Sequence, residues 1–276
     1  MLKKMSLEFK WTLEGSGPFE AWLPVPISDL NQRIVSFKFV PKPENEIAEK
    51  NYSYGYFRIR KGPEIKAQAD LTIRKIESYK GPCSDIFLKD NSFLKVSKIR
   101  PFAEKLGGPE KFYEWIIENI RFPGDMSKYL ENLNYLDNAC NVLRKKEGEC
   151  SGKSLLFISM CRSVGIPARL VSGYFAKSGE VRLFNSKVGK DSLGLHQWAE
   201  FHENGKWVPV DCSLAQEEKK DYFGKFHDYR IIISKDTGIK LFKNGYAAFM
   251  QIGFIDNKCL KNLSCNLLMR VKIKGD

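Results

Sequence analysis

The chain has 276 residues, of which 43% are hydrophobic and 13% aromatic, so it can bury one large core or two ordinary ones. Its 45 lysines and arginines exceed its 33 acidic residues and give a net charge of +12. Such a charge favours contact with polyanions, but the basic residues are scattered and no DNA- or RNA-binding motif accompanies them. We therefore expect no specific nucleic-acid partner.

The seven cysteines form an odd set at irregular spacings, which argues against a disulfide framework and favours a reducing compartment. The first residues lack the apolar run of a secretory signal, and nowhere do about 18 apolar residues follow one another. We therefore expect a cytoplasmic protein without a membrane span. Neither a Cys-x-x-Cys pair nor a His-x-x-x-His spacing occurs, so no metal ion and no cofactor are expected.

The first part of the chain alternates apolar and polar residues with a period of two from Ser6 to about Tyr79. The alternation is clearest from Ile65 to Ile73, and breakers such as Gly62-Pro63 separate the runs. Several short strands with turn residues between them are typical of an antiparallel β-sandwich. We assign this predicted domain to residues 1–88.

The rest of the chain, residues 89–276, is predicted to form an α+β domain. The segment from Gly81 to Arg100 lacks a clean period and is expected to be a connector. A helix is expected from about Pro109, a good first-turn residue, and a loop or short-helix region from Arg121 to Lys146. A strand is expected from Ala168 to Phe175.

A buried helix is predicted to follow Cys150, because the next residues are apolar on nearly every side of a helix. Gly165 and Pro167 are its stop signals. Cys150 thus lies at the amino end, where unpaired N–H groups and the positive end of the helix dipole favour a thiolate. The sequence predicts a nucleophile at Cys150, whereas Cys161 inside the helix is expected to be a core residue.

A hairpin is predicted after a polar excursion from Arg182 to Asp191. Asn204-Gly205 lies between alternating aromatic segments, which is a strong hairpin signal. If these two residues form the loop, Glu203 pairs with Lys206 and His196 shares a face with Asp211. The two side chains are then diagonal neighbours within reach of a hydrogen bond.

Cys150, His196 and Asp211 are the residue types of a cysteine-nucleophile site. The imidazole accepts the thiol proton and later protonates the leaving group, while the carboxylate orients the ring. Glu200 shares the face of His196 and is the alternative carboxylate, and His202 near the turn is expected to be a surface packing residue. Spacing alone does not place the hairpin beside Cys150.

The chain resembles the microbial members of the transglutaminase-like superfamily, because several motifs occur in the family's order within about residues 105–240. These motifs are Gly148-Glu149-Cys150, the segment from Leu155 to Tyr174, His196-Gln197-Trp198, the segment from Trp207 to Asp211, and Asp221-Tyr222-Phe223-Gly224. The early segment from Ala21 to Pro26 also resembles the β-domain that often precedes this core.

The resemblance implies a papain-like core, in which the nucleophile helix packs on an antiparallel sheet that carries the histidine and the aspartate. It implies Cys150, His196 and Asp211 as the catalytic residues of acyl chemistry, with the Cys150 N–H as one oxyanion donor. The segment from Ser151 to Ser154 is more polar than expected for such a helix. No acidic loop resembles the calcium sites of animal transglutaminases.

The leading hypothesis is a cysteine-dependent amide hydrolase, most simply a peptidase acting on a protein or peptide substrate. Acyl transfer from an amide to an amine, as in protein-glutamine amine acyltransferases, uses the same residues. A non-catalytic binding module that has kept the fold is the alternative from another class. Removal of glycans from asparagine also uses this core, but such enzymes commonly carry a zinc-binding Cys-x-x-Cys pair, which is absent here.

Overall fold

The computed structural model describes residues 2–14, 16–61, 64–124, 137–176, 179–184, 187–188, 194–243, 246–247, 249–251, 253–256 and 264–274. The predictions for 121–146 and 182–191 fall partly outside these described residues. The strands are β1 (Lys3–Glu14), β2 (Ser16–Val25), β3 (Gln32–Val40), β4 (Asn45–Ala48), β5 (Ser53–Lys61), β6 (Glu64–Ile73), β7 (Tyr79–Lys80), β8 (Ala168–Phe175), β9 (Gly179–Phe184), β10 (Lys187–Val188), β11 (Leu195–Glu203), β12 (Lys206–Val210), β13 (Arg230–Lys235), β14 (Ile239–Lys240), β15 (Tyr246–Ala247), β16 (Phe254–Asp256) and β17 (Ser264–Lys274). The helices are α1 (Val96–Leu106), α2 (Pro109–Asn119), α3 (Ala139–Lys145), α4 (Cys150–Ser163) and α5 (Cys212–Glu218), with a 3₁₀ turn at Asp85–Leu88.

Two antiparallel sheets pack into a β-sandwich. One has the strand order β10-β9-β17-β1-β6-β3, the other β16-β2-β5-β4. In β1 the alternate residues Met5, Leu7, Phe9 and Trp11 are buried in the core between the sheets, because side chains of a strand alternate between its two faces. The period-two pattern of the sequence therefore reflects strands that turn one face toward this core.

The six-stranded sheet combines strands from both ends of the chain. β17 pairs with β1 along its whole length, from Lys274 opposite Lys4 to Ser264 opposite Glu14. Spacing along the sequence carries no information on a pairing between such distant segments. The division of the chain into residues 1–88 and 89–276 stays a prediction.

The second half of the structure is built around α4, whose residues from Ser151 to Ser163 are all buried. α1, α2, α3 and α5 pack around this helix, and β8 and β11 pack against it. These two strands belong to an antiparallel sheet with the order β13-β8-β11-β12-β7. The sandwich and this helix-on-sheet arrangement confirm the predicted α+β class.

The hairpin of β11 and β12 has the predicted register. Glu203 pairs with Lys206, and the two loop residues have positive φ angles, 50° at Asn204 and 74° at Gly205. Positive φ at both positions is the geometry of a type I′ turn, which matches the twist of the two strands.

Helix α1 differs from the sequence prediction, since it begins inside the segment expected to be a connector. Lys95 before it has a left-handed φ of 56° and no side-chain cap, and Pro101 lies inside the helix. Caps and proline-free runs are the local signals of a helix, so tertiary packing of its buried face decides this element. That face consists of Val96, Ile99 and Ala103.

Candidate active site

Cys150 is the first residue of α4, and the cap at Glu149 fixes where the helix begins. The Glu149 carboxylate accepts hydrogen bonds from the backbone N–H groups of Ser151 at 2.8 Å and Gly152 at 2.9 Å. It also accepts a bond from the Ser151 hydroxyl. These contacts satisfy N–H groups that a helix leaves unpaired at its start, and Cys150 follows the cap as a partly exposed residue.

The surroundings of the Cys150 sulfur oppose its ionisation. Burial and the negative charge of Glu149, whose Oε2 lies 3.3 Å from Sγ, raise the pKa of the thiol well above its usual value. A hydrogen bond from the Gln197 backbone offsets this rise only in part. The predicted lowering of the Cys150 pKa is therefore wrong, because burial and the negative charge of Glu149 outweigh the bond from the Gln197 backbone.

His196 lies on β11 directly before Gln197, and its Nε2 is 2.6 Å from Oδ2 of Asp211. Its ring stacks on Phe175 with the ring centroids 4.7 Å apart. Opposite His196 on β8 is Gly173, where a Cβ would lie 2.0 Å from the Ile231 carbonyl oxygen. The predicted contact between His196 and Asp211 is confirmed, and it leaves Nδ1 as the ring nitrogen that Asp211 does not bind.

Asp211 uses both carboxylate oxygens. Oδ1 accepts the Leu214 N–H at 2.9 Å as the N-cap of α5, while Oδ2 faces His196 and the Arg230 guanidinium, whose Nη1 is 2.7 Å away. Burial by itself raises the pKa of Asp211, but the charges of His196 and Arg230 outweigh it and hold this pKa far below its usual value. Asp211 is therefore a fixed anion at the end of β12.

Arg230 was missed by sequence reasoning. Its side chain is fully buried at the start of β13, with Nε 3.0 Å from an oxygen of Asp228 and Cζ 3.8 Å from the centre of the Phe226 ring. A charged residue directly before the apolar run Ile231-Ile232-Ile233 was the available signal, since arginine is seldom buried without a partner.

Lys153 was also missed, one turn into α4. It is fully buried, donates to the side-chain oxygen of Gln216, and places Nζ 3.6 Å from the centre of the Phe122 ring. Burial lowers the pKa of Lys153 to about 8. The structure thus keeps an amine with a lowered pKa in the first turn of the nucleophile helix.

Glu200, the alternative carboxylate, belongs to a separate buried network. It accepts bonds from Arg169 Nε at 2.9 Å, the Tyr79 hydroxyl at 2.8 Å and Lys235 Nζ at 3.1 Å. Burial raises its pKa, but the charges of Lys235 and Arg169 outweigh this and lower it. His202 packs against Trp207, with ring centroids 5.1 Å apart, as expected.

Residues 98–212 match the sequence model of the transglutaminase-like superfamily, and this stretch includes Cys150, His196 and Asp211. The chain contains a transglutaminase-like domain. The resemblance that the sequence motifs indicated is confirmed.

A solved structure shares the fold of the whole chain. It is the crystal structure of a "Putative Cysteine Protease from Cytophaga hutchinsonii", which matches with a TM-score of 0.68 at 17% identity over 100% of this chain and 92% of that chain. The fold shared with that structure therefore includes the β-sandwich as well as the transglutaminase-like domain.

Two curated relatives are similar in sequence. An uncharacterized protein of Haemophilus influenzae is 24% identical over 71% of this chain and 64% of its own length. The uncharacterized protein YebA of Bacillus subtilis is 31% identical over 44% of this chain and 15% of its own length. The chain therefore spans less than two thirds of either relative.

Within the described ranges, no helix is both long and apolar enough to cross a membrane.

Proposed function

We propose that the transglutaminase-like domain is a cysteine-dependent amide hydrolase that acts on a protein or peptide, with Cys150, His196 and Asp211 as its catalytic residues. The observation that carries the proposal is the chain of contacts from Arg230 through Asp211 to Nε2 of His196. A histidine held by an anion on one ring nitrogen can exchange a proton through the other. The bond from the Gln197 backbone to the Cys150 sulfur brings the thiol to the residue next to His196.

In the first half of the reaction, the Cys150 sulfur attacks the amide carbonyl carbon while its proton passes to Nδ1 of His196. The oxyanion forms beside the helix amino end, where the Cys150 N–H is the donor. Cleavage of the C–N bond then releases the amine, which takes the proton back from the imidazolium. A thioester between the substrate acyl group and Sγ remains.

In the second half, water attacks the thioester with His196 accepting its proton, and the carboxylic acid and the thiol are released. An amine in place of water gives acyl transfer through the same intermediate. The five cysteines whose side chains are described, namely Cys83, Cys140, Cys150, Cys161 and Cys212, are free thiols. Free thiols fit action in a reducing compartment such as the cytoplasm.

The raised pKa of Cys150 favours a second candidate, a binding module that has kept the fold without the chemistry. The two candidates differ in whether Cys150 forms an acyl intermediate. A binding module forms none, even with a peptide bound.

The test compares amide hydrolysis of a fluorogenic peptide library by the full chain, by Cys150→Ala and by the control Cys83→Ser, which alters an exposed cysteine. We expect Cys150→Ala to lower kcat/KM at least about 10³-fold and Cys83→Ser to leave it unchanged. Mass spectrometry of the quenched full chain should show the acyl adduct on Cys150. Equal activity of Cys150→Ala and the full chain would exclude the proposed mechanism, and a bound peptide without hydrolysis or adduct would favour the module.

A further inference from the structure

Gln251 is a buried glutamine whose side chain reaches the strand that carries His196. It lies between β15 and β16, far from that strand in the sequence. Its Nε2 donates to the carbonyl oxygen of His196 at 3.2 Å and to that of Gly173 at 2.6 Å. Because Gly173 on β8 pairs with His196 on β11, one amide group bridges the two strands at the position of His196.

The backbone around Gln251 is fastened to the same sheet. The carbonyl oxygen of Gln251 accepts a hydrogen bond from the Tyr174 hydroxyl, and the carbonyl oxygen of Met250 accepts one from the Ser234 hydroxyl at 2.7 Å. Tyr174 on β8 and Ser234 on β13 are both buried. The position of the Gln251 amide is thus set by two strands of the sheet that carries His196.

The peptide unit that Gln251 contacts also reaches the sulfur of Cys150. The His196 carbonyl and the Gln197 N–H belong to one trans peptide, in which they point in opposite directions, and this N–H donates to the Cys150 sulfur. The pairs between β11 and β12 begin at Ala199, so the Gln197 N–H lies beyond the end of that ladder. The hydrogen bonds therefore form one chain, from the Gln251 amide through the peptide to the sulfur. Bonds connected in this way polarise one another, so the first strengthens the second.

A second contact places the backbone of Gln197 against the first turn of α4. The Ser154 hydroxyl lies 2.7 Å from the carbonyl oxygen of Cys150 and 3.4 Å from that of Gln197. The helix and β11 pack against each other beyond this point as well. A shift of the peptide between His196 and Gln197 would therefore change how the sulfur lies relative to the imidazole.

We propose that Gln251 is a positioning residue, which holds the peptide between His196 and Gln197 so that the Gln197 N–H stays directed at the Cys150 sulfur. The inference rests on the proposed function and concerns its first step. Sulfur and imidazole must keep their mutual position for the thiol proton to pass to Nδ1 as the S–C bond forms. A displacement of about 1 Å at such a centre can lower a rate by about 10²-fold.

Gln32 supplies a matched control, because it makes the same kind of contacts away from His196. Its side chain is buried, and its Nε2 donates to the carbonyl oxygens of Ile27 at 2.7 Å and Ile232 at 2.8 Å. Ile232 lies on β13, which β8 separates from β11 in the sheet. A glutamine that merely pairs buried carbonyl groups should affect stability alike at either position, whereas Gln251 is the one of the two that touches the peptide of His196.

The test measures kcat and KM for hydrolysis of a fluorogenic peptide, the rate at which iodoacetamide alkylates Cys150 at pH 7, and unfolding in urea. The proteins are the unaltered full chain, Gln251→Met, Tyr174→Phe and the control Gln32→Met. Methionine has a similar length to glutamine and no N–H group to donate. Tyr174→Phe removes only the hydroxyl that fastens Gln251.

We expect Gln251→Met to lower kcat by about tenfold to a hundredfold with KM unchanged within about twofold, since the interaction acts on the reacting groups. Alkylation of Cys150 should slow by roughly threefold or more, because an N–H that donates to sulfur favours the reactive thiolate. Tyr174→Phe should lower both rates by a smaller factor. Gln32→Met should lower the urea midpoint about as much as Gln251→Met does and leave kcat and the alkylation rate unchanged.

An unchanged kcat or an unchanged alkylation rate in folded Gln251→Met overturns the inference, and so does an equal loss of both in Gln32→Met. A higher KM with kcat unchanged would assign Gln251 to substrate binding and overturns it too. If Gln251→Met does not fold, Tyr174→Phe, which loses a single hydroxyl, decides by the same two rates.

Alkylation needs no substrate, so the fate of this inference can be told apart from that of the proposed function. If Cys150→Ala abolishes hydrolysis while Gln251→Met keeps the kcat and the alkylation rate of the unaltered protein, the proposed function stands and the positioning role fails. If alkylation slows in Gln251→Met and not in Gln32→Met, while no hydrolysis or acyl adduct is found, the hold of Gln251 on the sulfur stands and the enzyme proposal fails.

Discussion

The buried lysine beside the candidate site allows a quantitative test by Lys153→Met. Burial lowers the pKa of Lys153 from 10.5 to about 8, so its charged form is destabilised in the folded state. One pKa unit corresponds to about 1.4 kcal/mol, and the full shift to about 3 kcal/mol. Because Phe122, the ring over the amine, is exposed at the surface, we reduce the expected penalty to about 1–3 kcal/mol for solvent screening.

The sign of the effect follows from proton binding. Between about pH 8 and pH 10.5 the unfolded chain keeps a proton on Lys153 that the folded protein has lost, so the free energy of unfolding rises with pH. Below pH 8 both states are protonated and the penalty is present in full. Methionine has a similar length and no charge, so Lys153→Met should remove the penalty, at a cost of about 1 kcal/mol for the lost bond to Gln216.

The assay is urea unfolding at pH 7 and pH 10 of the unaltered protein, Lys153→Met and the exposed-lysine control Lys98→Met. Buried cysteines and tyrosines with raised pKa values, such as Cys212, also change stability in this range, but they do so equally in all three proteins. We expect the difference between Lys153→Met and the unaltered protein to change by about 1–3 kcal/mol between the two pH values. A difference independent of pH would refute a buried amine with a lowered pKa.

Two further predictions concern buried carboxylates. Arg230→Met leaves Asp211 without its guanidinium, so the free energy of unfolding should fall by about 3–5 kcal/mol in urea titrations. Because a depressed carboxyl pKa contributes stability above about pH 4 that is lost as the pH falls, the difference from the unaltered protein should shrink in acid; a constant difference contradicts the proposed pairing. Glu200→Gln breaks the contacts to Arg169 and Lys235, so the free energy of unfolding should fall by a similar amount, about 3–5 kcal/mol. The pH dependence of the rate at which iodoacetamide alkylates Cys150 (the alkylation profile) should stay unchanged, since none of those partners contacts the sulfur in the described structure. A shifted profile would show that this network does act on the thiol.

Local chemistry explains which parts of the site the sequence predicts well. Asn204 and Gly205 define a tight turn by their φ preferences, and this turn determines which residues of β11 and β12 share a face. The contact between His196 and Asp211 follows from that register. The nucleophile helix is likewise a local signal, because its apolar residues and its Gly165 stop lie within one short segment.

The arginine that pairs with Asp211 comes from a segment distant in the chain, and the sequence pattern does not reveal this pairing. Arg230 reaches Asp211 because β13 pairs with β8 in the same sheet as β11. Glu149 is adjacent to Cys150 in the sequence, but the direction in which its carboxylate turns depends on packing.

The sequence by itself therefore determined the fold class, the transglutaminase-like motifs and the register that joins His196 to Asp211, since turn chemistry and periodicity act over a few residues. The tertiary structure alone decided the pairing of β17 with β1 and the protonation preference of Cys150. Both depend on how distant parts of the chain pack: β1 and β17 come together from opposite ends of the chain, and burial raises the pKa of Cys150.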